Sequence, residues 1–143
     1  MKEKDVVKPH DSNNKPALFI PVLSQWIEEA IQYFKEGKDI LFFYTDSNIG
    51  KIRDLSADKV YFKCKGESTI SAVADLIEVK TENPVNFRLR GSESNTGKYY
   101  YGFKNLKWLD FPVELQELEY YESGKNLRND VPGACIIKDP NIN

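Results

Sequence analysis

Histidine is almost missing from this chain: His10 is the single one in 143 residues. One imidazole cannot build a Ser-His-Asp triad or a multi-histidine metal centre. His10 also lies in a polar stretch, where the expected role is that of a solvated tail residue. Cysteine is scarce as well, with Cys64 and Cys135 alone. Cys64 falls on an apolar strand position, and Cys135 sits between Ala134 and Ile136. Two isolated, buried thiols fit a reducing compartment better than a disulfide framework. No GxxxxGK[ST] or GxGxxG spacing occurs, which leaves a P-loop and a dinucleotide-binding turn without support. No apolar run approaches the roughly 20 residues of a membrane helix. The first 16 residues lack the apolar core of a signal peptide. The expected molecule is soluble and cytoplasmic, with no membrane partner, no metal and no cofactor. Neither charge is in excess, since the net value is −2. Nucleic acid would therefore be held by a local patch or a pocket, not by the field of the whole molecule.

The chain is long enough for one ordinary domain, 1–143, at 41% hydrophobic and 13% aromatic residues. Its organising stretch is 58–79, DKVYFKCKGESTISAVADLIEV, read as two strands joined at Lys65-Gly66-Glu67. In the first, Val60, Phe62 and Cys64 alternate with a wetter face of Tyr61, Lys63 and Lys65. The second is apolar on both sides, which marks a central strand, and Ala72 and Ala74 leave room for close neighbours.

Residues 1–16 carry Pro9, Pro16 and the run Asp11-Ser12-Asn13-Asn14, and read as a loose tail with a short edge strand at Val6-Val7. Residues 17–23 are an apolar entry in which Pro21 rules out a central strand. Residues 24–36 form the clearest helix, with Ser24 as N-cap. Its apolar face is Trp26, Ile27, Ala30, Ile31 and Phe34, and Gly37 closes it. Strands are expected at 40–44 and 49–53, with a turn at 45–48 between them. Residues 80–97 are long and poor in structure signals. Another strand region covers 98–110, where Gly102 marks a bulge or a tight corner. A helical turn at 114–121 and a last strand at 134–137 complete the chain. Short strands linked by short turns point to an antiparallel sheet or small barrel.

Segment 88–108 holds Arg88, Arg90, Lys98, Lys104 and Lys107 against Glu93 alone, interleaved with Tyr99, Tyr100, Tyr101, Phe103 and Trp108. Cations hold phosphates and aromatic faces stack bases, the pairing that single-stranded nucleic-acid sites use. Alternating aromatics in a strand equally describe a half-buried core face. A second candidate joins Trp26, Tyr44 and the 45–48 turn around a base-sized space, with Asp46 and Asn48 to read a polar edge. The alternative there is a core tryptophan beside an ordinary turn. Asp75 and Glu78 are outside candidates for acid chemistry, against the reading of a carboxylate held in a structural ion pair.

The order of these features resembles the PUA-like superfamily, which includes the PUA, ASCH, EVE and YTH domains. The resemblance is carried by a helix ending in Gly37-Lys38, a strand start at Leu55-Ser56-Ala57-Asp58-Lys59-Val60-Tyr61-Phe62, and a small-residue strand from Ile70 to Val79. Ala57 stands where glycine is usual. It spans about 18–121 and is closest to a small, mainly archaeal group. It implies an α+β fold, a small mixed β-barrel with flanking helices, and recognition of RNA or a modified base beside the barrel. Trp26, Lys38, Tyr44, Asp46, Arg88, Arg90, Lys98, Tyr100 and Lys104 are then the binding candidates. Some ASCH proteins hydrolyse acetylated nucleosides with a lysine, a threonine and a glutamate. Lys38 matches that lysine, but Asp39, Ile40 and Leu41 follow where the threonine belongs. A binding module for RNA or a nucleobase-like small molecule is the expected function. The alternatives are a small amidohydrolase using Lys38 with Glu78 or Asp75, and an interaction module, including a homodimer.

Overall fold

The computed structural model describes residues 15–45, 49–82, 99–128, 131 and 133–142, together with the backbone course of 88–90. Asp46, Lys98, His10 and the proposed strand at Val6-Val7 lie outside the described residues. Among the described residues seven strands form one mixed sheet, curled into a half-barrel with two helices against it. In chain order they are β1 (Pro16–Val22), α1 (Ser24–Lys35), β2 (Leu41–Thr45), α2 (Lys51–Leu55), β3 (Lys59–Cys64), β4 (Thr69–Lys80), β5 (Arg88–Arg90), β6 (Tyr99–Glu114), a 3-10 turn (Leu115–Glu117) and β7 (Cys135–Lys138). The order across the sheet is β5-β2-β6-β4-β3-β1-β7. The fold is thus α+β and barrel-like, but the sheet is mixed where the turns pointed to an antiparallel one. β1 runs parallel to β3, and β2 parallel to β5.

β4 is the middle strand, as its double-sided apolar sequence predicts. It pairs with β3 on one side and with the long β6 on the other, both antiparallel. One face of the sheet carries Leu18, Ile20, Phe43, Val60, Phe62, Ala72, Tyr101 and Phe103, closed over by Ile27 and Ala30 of α1 and Ile52 of α2. The opposite face carries Phe19, Tyr61, Ile70 and Val73, closed over by Leu115, Leu118, Leu127 and Ile137. Each fully buried Val, Leu, Ile or Phe side chain among them contributes on the order of 1.5–3 kcal/mol. This second layer corrects the reading of β3. Tyr61 and Lys63 were expected on a wet face, yet they are 0% and 7% exposed, and Tyr61 is covered by the C-terminal segment. The Tyr61 hydroxyl donates to Asp139 Oδ1 at 2.6 Å and ties that segment down.

Three local expectations are also corrected. Residues 49–53 do not return as a strand. Ile49, Ile52 and Leu55 recur every third residue, a helical spacing, and Ile49 and Ile52 are buried while α2 stops at Ser56 in the left-handed region (φ 58°). β1 is interior despite Pro21. β7 reaches only Pro16 to Phe19, so Pro21 lies where β1 has β3 on one side and no strand on the other. Ser24 is the first residue of α1, not its cap. Leu23 holds the cap position without a side-chain bond, and its carbonyl accepts from Trp26 N at 2.9 Å. Gly37 does close the helix, with φ 91° and its N–H on Phe34 O at 3.0 Å.

Gly102 is a point of close approach. It faces Phe42 across the β2–β6 ladder, and a Cβ there would meet the Phe42 ring at 2.7 and 2.8 Å and Ile40 Cδ1 at 3.1 Å. Gly102→Ala should lower stability by about 1–3 kcal/mol through overpacking. In urea unfolding, Phe42→Leu combined with it should cost less than the two single changes added.

Candidate functional site

Tyr44, Tyr100 and the strand that carries Arg88 and Arg90 come together on one side of the sheet. Tyr44 and Tyr100 are register partners on β2 and β6, with ring centroids 5.6 Å apart. Both are buried, at 6% and 3% exposure, beside Phe42 and Ile40. Lys80 Nζ stands 6.0 Å from the centroid of the Phe42 ring. β5, which carries Arg88 and Arg90, pairs with β2 as the edge strand. A single row therefore crosses four strands, from Glu78 to Gly102 to Phe42 to Arg88. At about 4.8 Å per strand the row is roughly 14 Å long.

Trp26 belongs elsewhere. It packs edge-on against Phe43 with centroids 5.7 Å apart, and Phe34 lies 6.0 Å from Phe103. The space between α1, β2 and β6 is filled by these rings. Lys38 is exposed between α1 and β2, without a hydrogen bond or ion pair to Asp75 or Glu78 among the described residues. Lys104 lies further along β6, opposite Asp75 in the ladder.

Asp75 is held in a structural network. Lys59 Nζ and Asn105 Nδ2 each donate to it at 2.7 Å. Partial burial pushes the Asp75 carboxyl up, but the bonds from Lys59 and Asn105 and the charges of Lys59 and Lys104 outweigh it and hold the carboxyl low. Glu78 is different: its carboxylate stands 4.0 Å from Lys80 Nζ, with both side chains well exposed.

Glu78 also borders a groove that the sequence did not disclose. β3 begins at Lys59, opposite Asp75, so residues 76–80 of β4 extend past it. On that side only the Leu76 N–H to Asp58 O bond, 3.1 Å, continues the ladder among the described residues. α2 fills part of the gap and leaves a cavity of about 240 Å³ between Arg53 and Glu78. The signal that could have revealed it is the helical spacing of Ile49, Ile52 and Leu55, read as a strand instead. A second cleft of about 150 Å³, lined by Lys15, Asp58, Lys59, Asp139 and Asn141, lies at the far side of β3.

Among the described residues no three His, Cys, Asp or Glu side chains gather as a metal ion requires, and no helix is long and apolar enough to cross a membrane. Neither a protein-family model nor a curated protein matches the chain.

Both thiols are free. Burial pushes Cys135 up to about 12, and burial followed by the charge of Glu67 raises Cys64. The two lie on strands flanking β1, opposite Phe19 and Val22. Both should react slowly with an aromatic disulfide at pH 8 and at once in denaturant; fast native reaction of either would contradict this placement.

The Asp75 network has a pH signature. A carboxyl lowered in the folded state stabilises above its unfolded value near 3.8 and loses that contribution as pH falls through the folded value. Asp75→Asn should therefore cost about 1 kcal/mol at pH 7, the modest size expected of a half-wet pair. The difference from the parent should fade below about pH 4 in urea melts.

Proposed function

We propose that the protein is a non-enzymatic module that binds single-stranded RNA or a modified nucleobase. The observation that carries this reading is the cross-strand row from Glu78 to Arg88. It sets an arginine-bearing edge strand, Lys80 and a base-sized groove on one end of the sheet. Cations at such an edge hold backbone phosphates, while a groove beside them takes a base. In this reading Arg88, Arg90 and Lys98 contact phosphates. Tyr44 and Tyr100 are closed against each other, so their part is to hold β2 against β6. The resemblance to PUA-like domains belongs to the same proposal, and the curled mixed sheet with two helices supports its coarser part, a small α+β barrel-like fold.

The hydrolase alternative has no assembled pair behind it. Lys38 touches neither acid, and Asp75 is already taken by Lys59 and Asn105.

Fluorescence anisotropy of a labelled single-stranded RNA across a salt series tests the reading. Affinity should fall as salt rises. Arg88→Ala with Arg90→Ala should weaken binding several-fold and shorten the log–log salt slope by about 1.4, two phosphate contacts' worth. Absence of binding, or binding indifferent to salt, would overturn it.

A further inference from the structure

The groove between α2 and β4 has the chemistry of a base-reading pocket. Its floor is apolar: Ile52, Leu76 and Val79 are each 8% exposed or less. Ile77 forms part of its wall and is 45% exposed, a large aliphatic side chain left in water at a place where β4 slips register against β6. A flat ring needs such surfaces on its faces. A void of about 150 Å³ accepts a benzene ring, so 240 Å³ is ample for a fused bicyclic base. The rim is polar on both sides. Arg53 comes from α2 and is exposed, without a salt bridge among the described residues. Glu78 comes from β4, its only ion-pair partner among the described residues being Lys80 at the 4.0 Å limit. One wall thus offers donors with no salt-bridged acceptor among the described residues, and the other an acceptor held only by Lys80 at 4.0 Å.

We infer that this groove binds guanine, an assignment that rests on the nucleic-acid reading above. Glu78 accepts from the N1–H and the exocyclic amine of the base, two adjacent donors that match the two oxygens of a carboxylate. Arg53 donates to O6 and N7, the adjacent acceptors for which a guanidinium fork is suited. Adenine presents an acceptor at N1 and would set that lone pair against the carboxylate. Uracil and cytosine lack the second ring that the apolar floor accommodates. The position fits the rest of the sheet, because Glu78 heads the same cross-strand row that ends at Arg88. A base seated beside Glu78 thus lies at the end of that row away from the arginine-bearing edge.

The test uses the full chain with two labelled RNAs, an all-uridine 9-mer and the same 9-mer with one central guanosine, plus free guanosine observed by amide NMR. The guanosine-containing RNA should bind at least tenfold tighter. Glu78→Gln and Arg53→Ala, both at exposed positions and checked for an unchanged melting temperature, should each bring the ratio of the two affinities from at least tenfold to within about twofold. Free guanosine should shift amides of 52–57 and 76–79. Equal binding of the two RNAs with no such shifts overturns the groove assignment and leaves RNA binding standing. A preference for another base, or retention of the guanosine preference in both variants, also overturns it. Guanosine shifts without binding of either RNA would support the groove and remove the RNA reading instead.

Discussion

The fold depends on the antiparallel pairing of β4 with β6. These are the two longest strands, 12 and 16 residues, and they lie side by side in the middle of the sheet. Each interior face of the protein is built on them: Ala72, Ala74 and Leu76 with Tyr101 and Phe103 on one side, Ile70 and Val73 with Leu109 on the other. The ladder is irregular at three places, between Ile70 and Ala72, between Val73 and Asp75, and between Leu76 and Glu78. Such irregularities bend and twist a sheet, which is how a nearly flat pair of strands becomes the spine of a half-barrel. The same irregularities decide which side chains are turned outward, Ile77 and Glu78 among them.

Much of this was legible in the residues. The helix 24–35 announced itself through Trp26, Ile27, Ala30, Ile31 and Phe34, and the central strand through its two apolar faces. Gly102 stood out as a bulge or a tight corner, and the structure gives it another role, a close approach to Phe42. What escaped was long-range. Alternation in 60–65 marks a strand but cannot tell that a segment more than fifty residues later will cover its second face. Nor can it tell a mixed sheet from an antiparallel one, because parallel partners such as β1 and β3 are chosen by the whole topology. The error at 49–53 was one of period: a short stretch with isoleucines three apart reads either way until burial decides.

The same distinction applies to the site. Arg88, Arg90, Tyr44 and Tyr100 were singled out by residue type, and the sheet does bring their strands together. The tyrosines turn out to be closed against one another, however, so residue type alone overstated their availability. The groove beside Glu78 depends on where β3 begins and where α2 sits, and neither is written in any local pattern. Sites of this kind arise from a mismatch in strand lengths, in which a long strand outruns its neighbour and a short helix fills the gap imperfectly.

Asn105 has a consequence of a different sort. It occupies the left-handed region (φ 57°) and reaches back to Asp75 at 2.7 Å, which pins one extra residue of β6 against β4. From that point onward Leu106 packs into the core under the two helices and Leu109 into the core on the opposite face, with Lys107 exposed between them. A slip by a single residue would turn Lys107 toward the side that Leu106 now fills. The asparagine thus works as a counting device, keeping the second half of the longest strand in phase with the first.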